Sequence, residues 1–376
     1  MLQKIFATGI AIACSVSGFA QSPDTASLIA SASQTTAAPL APAPPEDKKP
    51  FLTISGSADV YYRLDFSKQA ANNKTSFTGT HNTFALGMAS VKLEHKTDKL
   101  DMVADLGFGP RAKEFAYTDE GITQAIKQLY ISYSATNWLK FTAGTWATHV
   151  GYELLDPQLN RNYSMSYMFT NGPFSHTGVK AEISKGKSGF MIGVANATDY
   201  RTPPAGQINK KFLIAQYSFA ASDNLKFYLN YVGGKNPDTS KTSQFDLVAT
   251  AKLSNAFSLG FNGTVNTTQT WDGSKNESGK SWWGSALYLN LDPKPWFGLT
   301  LRTEYFSDEK QMKIYTGTDK GANVFATTLS ANFKTGGFIF IPEFRIDNSS
   351  QDIFIDANGA PKKSAGSFLL AAIYSF

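Results

Sequence analysis

The chain has 376 residues, of which 42% are hydrophobic, 13% are aromatic and only 17% are charged. The charged fraction lies below the roughly 25% of ordinary soluble domains. The net charge of +5 comes from basic residues scattered along the chain, which excludes the clustered basic footprint of a nucleic-acid-binding protein.

The first twenty residues have the organisation of a secretory signal peptide. Lys4 supplies a positive charge, and residues 5–13 form a short apolar region. Gly18 and Ala20 then place small residues before a cleavage site at Gln21. We therefore predict that residues 1–20 direct export and are removed.

Cys14, the single cysteine, lies inside this segment. Two alternatives remain open, a lipoprotein modified at Cys14 and a buried N-terminal helix. With cleavage after Ala20 the mature chain has no cysteine, so neither a disulfide framework nor thiol chemistry is expected. Beyond this segment no run reaches the 18 apolar residues that a membrane helix requires.

Residues 21–50 are rich in Ala, Ser, Thr and Pro and have no hydrophobic period. This composition predicts a disordered linker, because it cannot bury enough apolar surface to fold. The folded domain is therefore predicted to span residues 51–376.

From Phe51 onward the apolar residues recur at every second position, which is the period of a β-strand. The first strand is about 15 residues long, enough to cross a membrane at a tilt. Its apolar face consists of Leu52, Ile54, Gly56, Ala58, Val60, Tyr62, Leu64 and Phe66. Similar segments recur about 16 times. A change of phase near Ala89–Ser90 predicts a bulge in the second strand.

The connections between these segments alternate in length. Short turns fall at 97–99, 135–137, 185–188, 221–224, 254–256, 292–295 and 334–337, and the longer loops at 67–80, 109–125, 147–175, 199–209, 234–242, 267–280, 308–320 and 348–363. Short periplasmic turns and long outer loops are typical of bacterial outer-membrane barrels. The pattern predicts an all-β fold, a transmembrane antiparallel up-and-down β-barrel of about 16 strands.

The last strand ends on an aromatic residue that is in phase with its apolar face. Phe368, Leu370, Tyr374 and Phe376 alternate with smaller or polar residues. This strand resembles the C-terminal assembly signal of outer-membrane barrels, which implies the barrel assembly machinery as a partner. Outer-membrane lipid is the expected surroundings of the apolar face.

No motif predicts an enzyme, a cofactor or a metal site. There is no Gly-x-Ser-x-Gly nucleophile elbow, and the four histidines lack ligand spacing. Ser175 and His176 are the one hint of a catalytic cluster. However, sequence neighbours on a strand point to opposite faces.

The loop at 147–175 is the longest connection and is too apolar for disorder. It carries Glu153, Asp156 and Arg161 between hydrophobic anchors. We predict that it folds into the barrel and that these three charges form a pore constriction, facing opposite charges such as Arg63 or Arg302 on the wall. The alternative is an outer loop packed over the mouth or against another subunit.

The sequence around this loop resembles a known family, the outer-membrane β-barrel porins of the OmpL-like group. The resemblance is carried by Phe141-x-Ala143-Gly144, Gly151-Tyr152-Glu153, Asn160-x-Asn162-Tyr163-Ser164 and Pro173-Phe174-x-His176-Thr177-Gly178-Val179. It covers 51–376 as a strand pattern and about 125–185 in specific motifs. It implies an outer-membrane channel without implying a substrate.

Charged residues of both signs fall on the inward faces of the predicted strands. They are Arg63, Asp65, Lys140, Lys226, Lys252, Arg302, Glu304, Glu343 and Arg345. A barrel of 16 strands is too wide for wall side chains alone to fill. We therefore predict a water-filled porin lined by these residues, which passes small hydrophilic solutes or ions by diffusion.

Two other functional classes remain open at this stage. One is a non-conducting structural or docking barrel, plugged by 147–175. The other is a secreted soluble β-protein. The predicted location is the outer membrane of a Gram-negative bacterium, with no nucleic-acid partner and with a homo-oligomer left open.

Overall fold

The computed structural model describes residues 51–117, 119–202, 209–314 and 320–376. The predicted signal peptide and linker, residues 1–50, lie outside the described residues. The barrel strands are β1 Phe51–Asp65, β2 Thr83–Lys96, β3 Leu100–Phe108, β4 Ile126–Ser134, β5 Leu139–Ala147, β6 Ser175–Lys185, β7 Ser188–Ala195, β8 Phe212–Ser222, β9 Leu225–Lys235, β10 Lys241–Lys252, β11 Phe257–Gln269, β12 Lys280–Lys294, β13 Phe297–Asp308, β14 Ala322–Thr335, β15 Phe338–Ser349 and β18 Ser364–Ser375.

These sixteen strands form one closed antiparallel barrel, as the sequence predicted. Each strand pairs with its neighbours in the chain, and β18 closes the ring by pairing with β1. Two short strands, β16 (Phe354–Ile355) and β17 (Pro361–Lys362), form a separate hairpin in the last long loop. Closure satisfies the backbone groups that an open sheet edge would leave unpaired.

The alternation of side chains gives the barrel its two faces. Leu247 of β10 points outward and is 40% exposed, whereas its neighbour Val248 points inward and is 5% exposed. The outward faces of the other strands carry large apolar residues in the same way. A single residue of strand register therefore separates the apolar outer wall from the interior.

Both ends of the barrel domain lie at the end with the short turns. The alternation of short turns and long loops is observed as predicted. Where the structure describes them, the long loops contain two short helices, α1 (Pro110–Phe115) and α2 (Tyr167–Asn171), and three 3-10 turns. Among the described residues, no helix is long and apolar enough to cross a membrane.

The bulge in β2 lies two residues earlier than the sequence predicted. Ala58 pairs with Ala89 and Val60 pairs with Leu86, so Gly87 and Met88 together face Asp59. The Asp59 carboxylate accepts a hydrogen bond from the Met88 amide at 2.9 Å. The predicted bulge is therefore confirmed, and its position differs because Met88, assigned to the apolar outer face, points inward and is buried.

Candidate functional site

The long connection between β5 and β6, residues 148–174, lies inside the barrel, and we call it the lumen segment. Each of its residues is either buried or only partly exposed. Tyr163 and Met165 are fully buried, and Ser166 and Tyr167 are 1% exposed. The loop therefore folds into the barrel, as the sequence predicted.

The three charged residues predicted at the constriction each pair with a charge on the wall. Glu153 binds Arg302 of β13 at 2.5 Å, and Arg161 binds Asp292 of β12 at 2.5 Å.

Asp156 contacts Lys127 of β4, which also pairs with Asp105 of β3 at 3.0 Å. The segment is thus held from two sides of the barrel.

Of the two wall partners suggested by the sequence, only Arg302 contacts the segment's charges. Arg302 is 0% exposed and also donates to the Ser164 carbonyl at 2.7 Å. Arg63 instead pairs with Asp65 at 3.3 Å and donates to the Thr80 carbonyl. Of the two alternatives, Arg302 is therefore the wall partner of the lumen segment, and Arg63 binds the loop that follows β1.

Other predicted lining residues hold the backbone of the segment. The Glu343 carboxylate accepts hydrogen bonds from the amides of Tyr163 at 2.8 Å and Ser164 at 3.1 Å. The Glu304 carboxylate accepts from the Tyr167 amide at 2.8 Å.

On the donor side, Arg345 donates to the Met165 carbonyl at 2.7 Å and pairs with Glu304 at 3.2 Å. Because ionised side chains make the stronger hydrogen bonds, these contacts fix the course of residues 163–167.

The remaining lining residues fall into two groups. Asp65 accepts hydrogen bonds from the amides of Ser67 and Gln69 and so binds the first long loop, as a buried residue of the inner wall. Lys140, Lys226 and Lys252 lie near the short-turn end and are partly exposed. Six of the nine predicted residues are therefore buried against loops. The six are Arg63, Asp65, Arg302, Glu304, Glu343 and Arg345.

Several contacts of the lumen segment involve wall residues that the sequence analysis did not single out. The Tyr163 hydroxyl donates to Asp59 of β1. The Gly151 amide donates to Asp246 of β10 at 3.0 Å. The Asp246 carboxylate also accepts a hydrogen bond from the Asn230 side-chain amide at 2.7 Å. The sequence signal that could have revealed Asp246 is an inward-facing acid paired with an inward-facing amide, Asn230, on the neighbouring strand.

The first turn of the segment places His149 against the wall of β9. Its Nε2 atom lies 3.1 Å from the Tyr231 carbonyl. Burial lowers the pKa of His149 to about 4, so the imidazole is neutral at neutral pH. Its ring lies 5.2 Å from that of His176.

Glycines in the wall make room for the segment. A Cβ atom at Gly260 would lie 2.5 Å from the Tyr152 ring. At Gly298 it would lie 2.3 Å from the Asp292 carboxylate that binds Arg161. A larger residue at Gly260 would displace the Tyr152 ring, and one at Gly298 would displace the Asp292 carboxylate, since real Cβ contacts are not this short.

The outer end of the segment is covered by other long loops. Phe174 stacks on Phe115 of α1 at 5.6 Å, and Arg111 of α1 lies 4.7 Å from the rings of Phe77 and Tyr163. The Asp199 carboxylate accepts the Phe174 amide at 2.7 Å.

Asp199 also accepts the Ser175 amide at 2.8 Å. Burial nevertheless raises the pKa of Asp199 to about 6. A carboxyl of that pKa changes charge just below neutral pH.

The residues of the predicted assembly signal lie along the outer face of β18. Phe368 and Leu370 are partly exposed there, Tyr374 is 55% exposed, and Phe376 follows the strand at 69% exposure. The Phe376 amide donates to the Gly56 carbonyl at 3.0 Å, at the seam where the barrel closes.

Comparisons with solved structures support this architecture. The anion-selective porin from Comamonas acidovorans is similar with a TM-score of 0.59 at 10% identity, over 87% of this chain and 100% of that chain. The outer-membrane expressed OmpT of Vibrio cholerae has a TM-score of 0.55 at 11% identity, over 88% and 99% of the two chains.

A trimer form of in-vitro folded OmpT from Vibrio cholerae has a TM-score of 0.54 at 11% identity, over 88% of this chain and 100% of that chain. Similarity at such identities establishes the fold alone.

No curated protein matches the sequence. A family model, described as "Putative beta-barrel porin-2, OmpL-like", matches residues 51–376. That range is the whole of the barrel domain. The chain therefore belongs to the OmpL-like β-barrel porin family.

Proposed function

We propose that the protein is an outer-membrane channel for small hydrophilic solutes or ions, with the lumen segment as its constriction. The observation that carries the proposal is the position of this segment inside a porin-family barrel, tied to the wall by buried charges. Glu153, Asp156 and Arg161 are the charges that would act on a permeating ion. Partial desolvation strengthens such charges in a narrow aqueous gap.

The proposed location is the outer membrane of a Gram-negative bacterium, reached with the signal peptide of residues 1–20. The outward apolar faces supply the lipid-facing surface that this location requires. Passive diffusion needs neither a catalytic group nor a cofactor, so the proposal includes no enzymatic activity. A homo-oligomer remains part of it, since one of the similar structures is described as a trimer.

A second function, a non-conducting barrel, is favoured by the burial of the inner wall. Thr300 of β13, Ser330 of β14 and Ile373 of β18 all point inward and are 0% exposed. In an open channel of this width such positions would face water. The burial of these positions favours a strongly restricted lumen, and conductance decides between a narrow channel and a plug.

The test is planar-bilayer recording of the purified, detergent-folded protein. The intact protein should show small unit steps. A variant in which residues 156–166 are replaced by a short Gly-Ser linker should show much larger ones, because the segment no longer crosses the lumen. The matched control removes residues 272–276, which lie in an exposed outer loop, and should leave the unit step unchanged.

Each outcome separates the two functions. An intact protein that passes no current, beside a conducting deletion, identifies a plugged barrel. Equal unit steps in the intact protein and the folded deletion variant would mean that the segment does not constrict the path. Migration of unboiled and boiled samples on a detergent gel verifies that each variant is folded, because closed barrels resist mild detergent.

A further inference from the structure

The inner wall between the lumen segment and the short-turn end forms a chamber that we call the vestibule. Inward-pointing residues of the vestibule are accessible to water. Lys140, Lys226, Thr250 and Lys334 are partly exposed, whereas inward residues deeper in the barrel are buried. Since short turns mark the periplasmic end of such barrels, the vestibule opens to the periplasm.

Basic side chains outnumber acidic ones in the vestibule. Among the described strands, six lysines point inward within the five strand residues nearest a short turn, namely Lys92, Lys96, Lys140, Lys226, Lys252 and Lys334. Four acids do so, namely Glu94, Asp101, Glu182 and Asp292. Arg161 of the lumen segment adds a seventh cation.

The acids have partners within this set. Glu94 pairs with Lys92 at 3.1 Å and Glu182 pairs with Lys140 at 3.2 Å. Asp101 lies opposite Lys96 in the ladder of β2 and β3. Asp292, the fourth acid, binds Arg161. The vestibule therefore has seven cations and four acids, and its net charge stays positive whichever of them form pairs. Low-dielectric walls focus such a potential and raise the local concentration of anions.

A cleft at the inner end of the vestibule offers a place for one oxygen atom of an anion. It has room for about one water-sized group and is lined by Tyr152, Glu153, Leu159, Asn160, Arg161, Asn162, Tyr288 and Asn290. Tyr288 is 2% exposed, and its hydroxyl has no hydrogen-bond partner among the described residues. A buried hydroxyl without a partner costs free energy, so a ligand that accepts from it is favoured.

Arg161 supplies the charge in this cleft. Its Nε atom donates to Thr300 at 2.9 Å and its Nη2 atom to Asp292 at 2.5 Å. These two bonds fix the guanidinium plane, and the described residues give Nη1 no hydrogen bond. The carboxylate of Glu153, which also lines the cleft, is engaged by Arg302.

We propose that the vestibule collects small anions from the periplasmic side and that the cleft binds one oxygen atom of the oxyanion group of a small solute, a carboxylate or a phosphate. Arg161 pairs with the oxyanion and Tyr288 donates a hydrogen bond to it. The preference for anions over cations that this predicts rests on the proposed channel function, whereas binding in the cleft does not.

Binding is measured by equilibrium dialysis of radiolabelled inorganic phosphate against the full-length mature protein, folded in detergent. The intact protein should bind phosphate. Tyr288→Phe, which removes only the hydroxyl, and Arg161→Gln should each weaken binding about tenfold, the effect expected for one lost hydrogen bond to a charged group. Acetate should compete and glucose should not.

Selectivity is measured from the reversal potential in a salt gradient. The intact channel should prefer chloride over potassium. Lys226→Gln with Lys334→Gln should reduce that preference about twofold or more, because two inward charges are lost. The matched control, Lys113→Gln with Lys275→Gln, removes two exposed cations from the outer loops and should leave it unchanged.

The results separate the inference from the proposed function. Phosphate binding that is equal in the intact protein, Tyr288→Phe and Arg161→Gln would overturn the cleft. A conducting channel whose selectivity is the same with and without Lys226 and Lys334 would overturn the vestibule. Phosphate binding without any current would overturn the channel function and leave the anion site standing.

Discussion

Replacing Arg302 by methionine should release the lumen segment. Arg302 is fully buried and binds Glu153 at 2.5 Å, the Ser164 carbonyl at 2.7 Å and the Met165 carbonyl at 3.3 Å. Methionine fills much of the same volume but makes none of these bonds. In the closed arrangement, in which the lumen segment lies against the wall, the Glu153 carboxylate is then buried without its cation.

The size of the effect follows from that buried charge. Breaking a buried ion pair by removing one partner costs about 3–5 kcal/mol. Here the cost falls on the closed arrangement alone, because water reaches Glu153 once the segment leaves the wall. At about 1.4 kcal/mol for each factor of ten, the fraction of molecules in which the segment has left the wall should rise roughly a hundredfold or more.

The assay uses the absence of cysteine from a chain that begins at Gln21. Met165→Cys places one thiol at a fully buried position of the segment. Its reaction with a maleimide should be slow when Arg302 is present and at least about tenfold faster in Arg302→Met, as the shift in population requires. Unit conductance should rise in parallel.

Two controls decide whether the reasoning holds. Glu153→Gln combined with Arg302→Met removes both charges and should restore slow labelling in part. Lys140→Met removes an inward cation that pairs with Glu182 of the wall, and should leave labelling slow. Equal labelling rates in the intact protein and in folded Arg302→Met would refute the assignment of Arg302 as an anchor of the segment.

Three further predictions concern the wall, the last strand and the outer loops. Leu247→Arg, on the outer face near the middle of β10, should destabilise the folded barrel by about 2–4 kcal/mol in lipid. Thr250→Arg, which points into the vestibule, should cost far less; equal losses in denaturant titrations would mean that the register is wrong. Deleting Phe376 removes one residue at the barrel seam, so the refolded protein should stay heat-modifiable while its outer-membrane level in cells falls; an unchanged level removes Phe376 from the assembly signal. The pKa of Asp199 in the folded protein is about 6, above its ordinary value of 3.8. Between these values the folded form retains a proton that the unfolded form has released, so the stabilisation is present at low pH and lost as pH rises through about 6. Asp199→Asn should flatten this dependence in thermal unfolding at about pH 5 and pH 7.5, and an unaltered slope would contradict it.

The sequence alone determined the barrel and predicted its orientation. Alternation at every second residue predicts which side chain faces outward, as at Leu247 and Val248, because successive side chains on a strand point to opposite faces. Short turns and long loops predict which end is periplasmic. These are local properties, and a pattern of neighbours in sequence is enough to reveal them.

The position of the bulge in β2 depended on contacts outside that local pattern. Met88 is apolar yet points inward, since it packs with Phe115 and Leu155. Its amide is bound by Asp59 from the neighbouring strand. Apolar periodicity therefore assigned Met88 to the wrong face.

Only the tertiary structure decided what the inward charges do. Glu343 binds the amide of Tyr163, 180 positions away in the chain, and Arg302 binds Glu153 across 149 positions. A strand pattern shows that such residues face the interior, but not whether water or another part of the chain meets them. The lumen segment supplies backbone groups that need partners, and the buried wall charges provide them, because a charge inside a barrel is stable only when it is hydrated or paired.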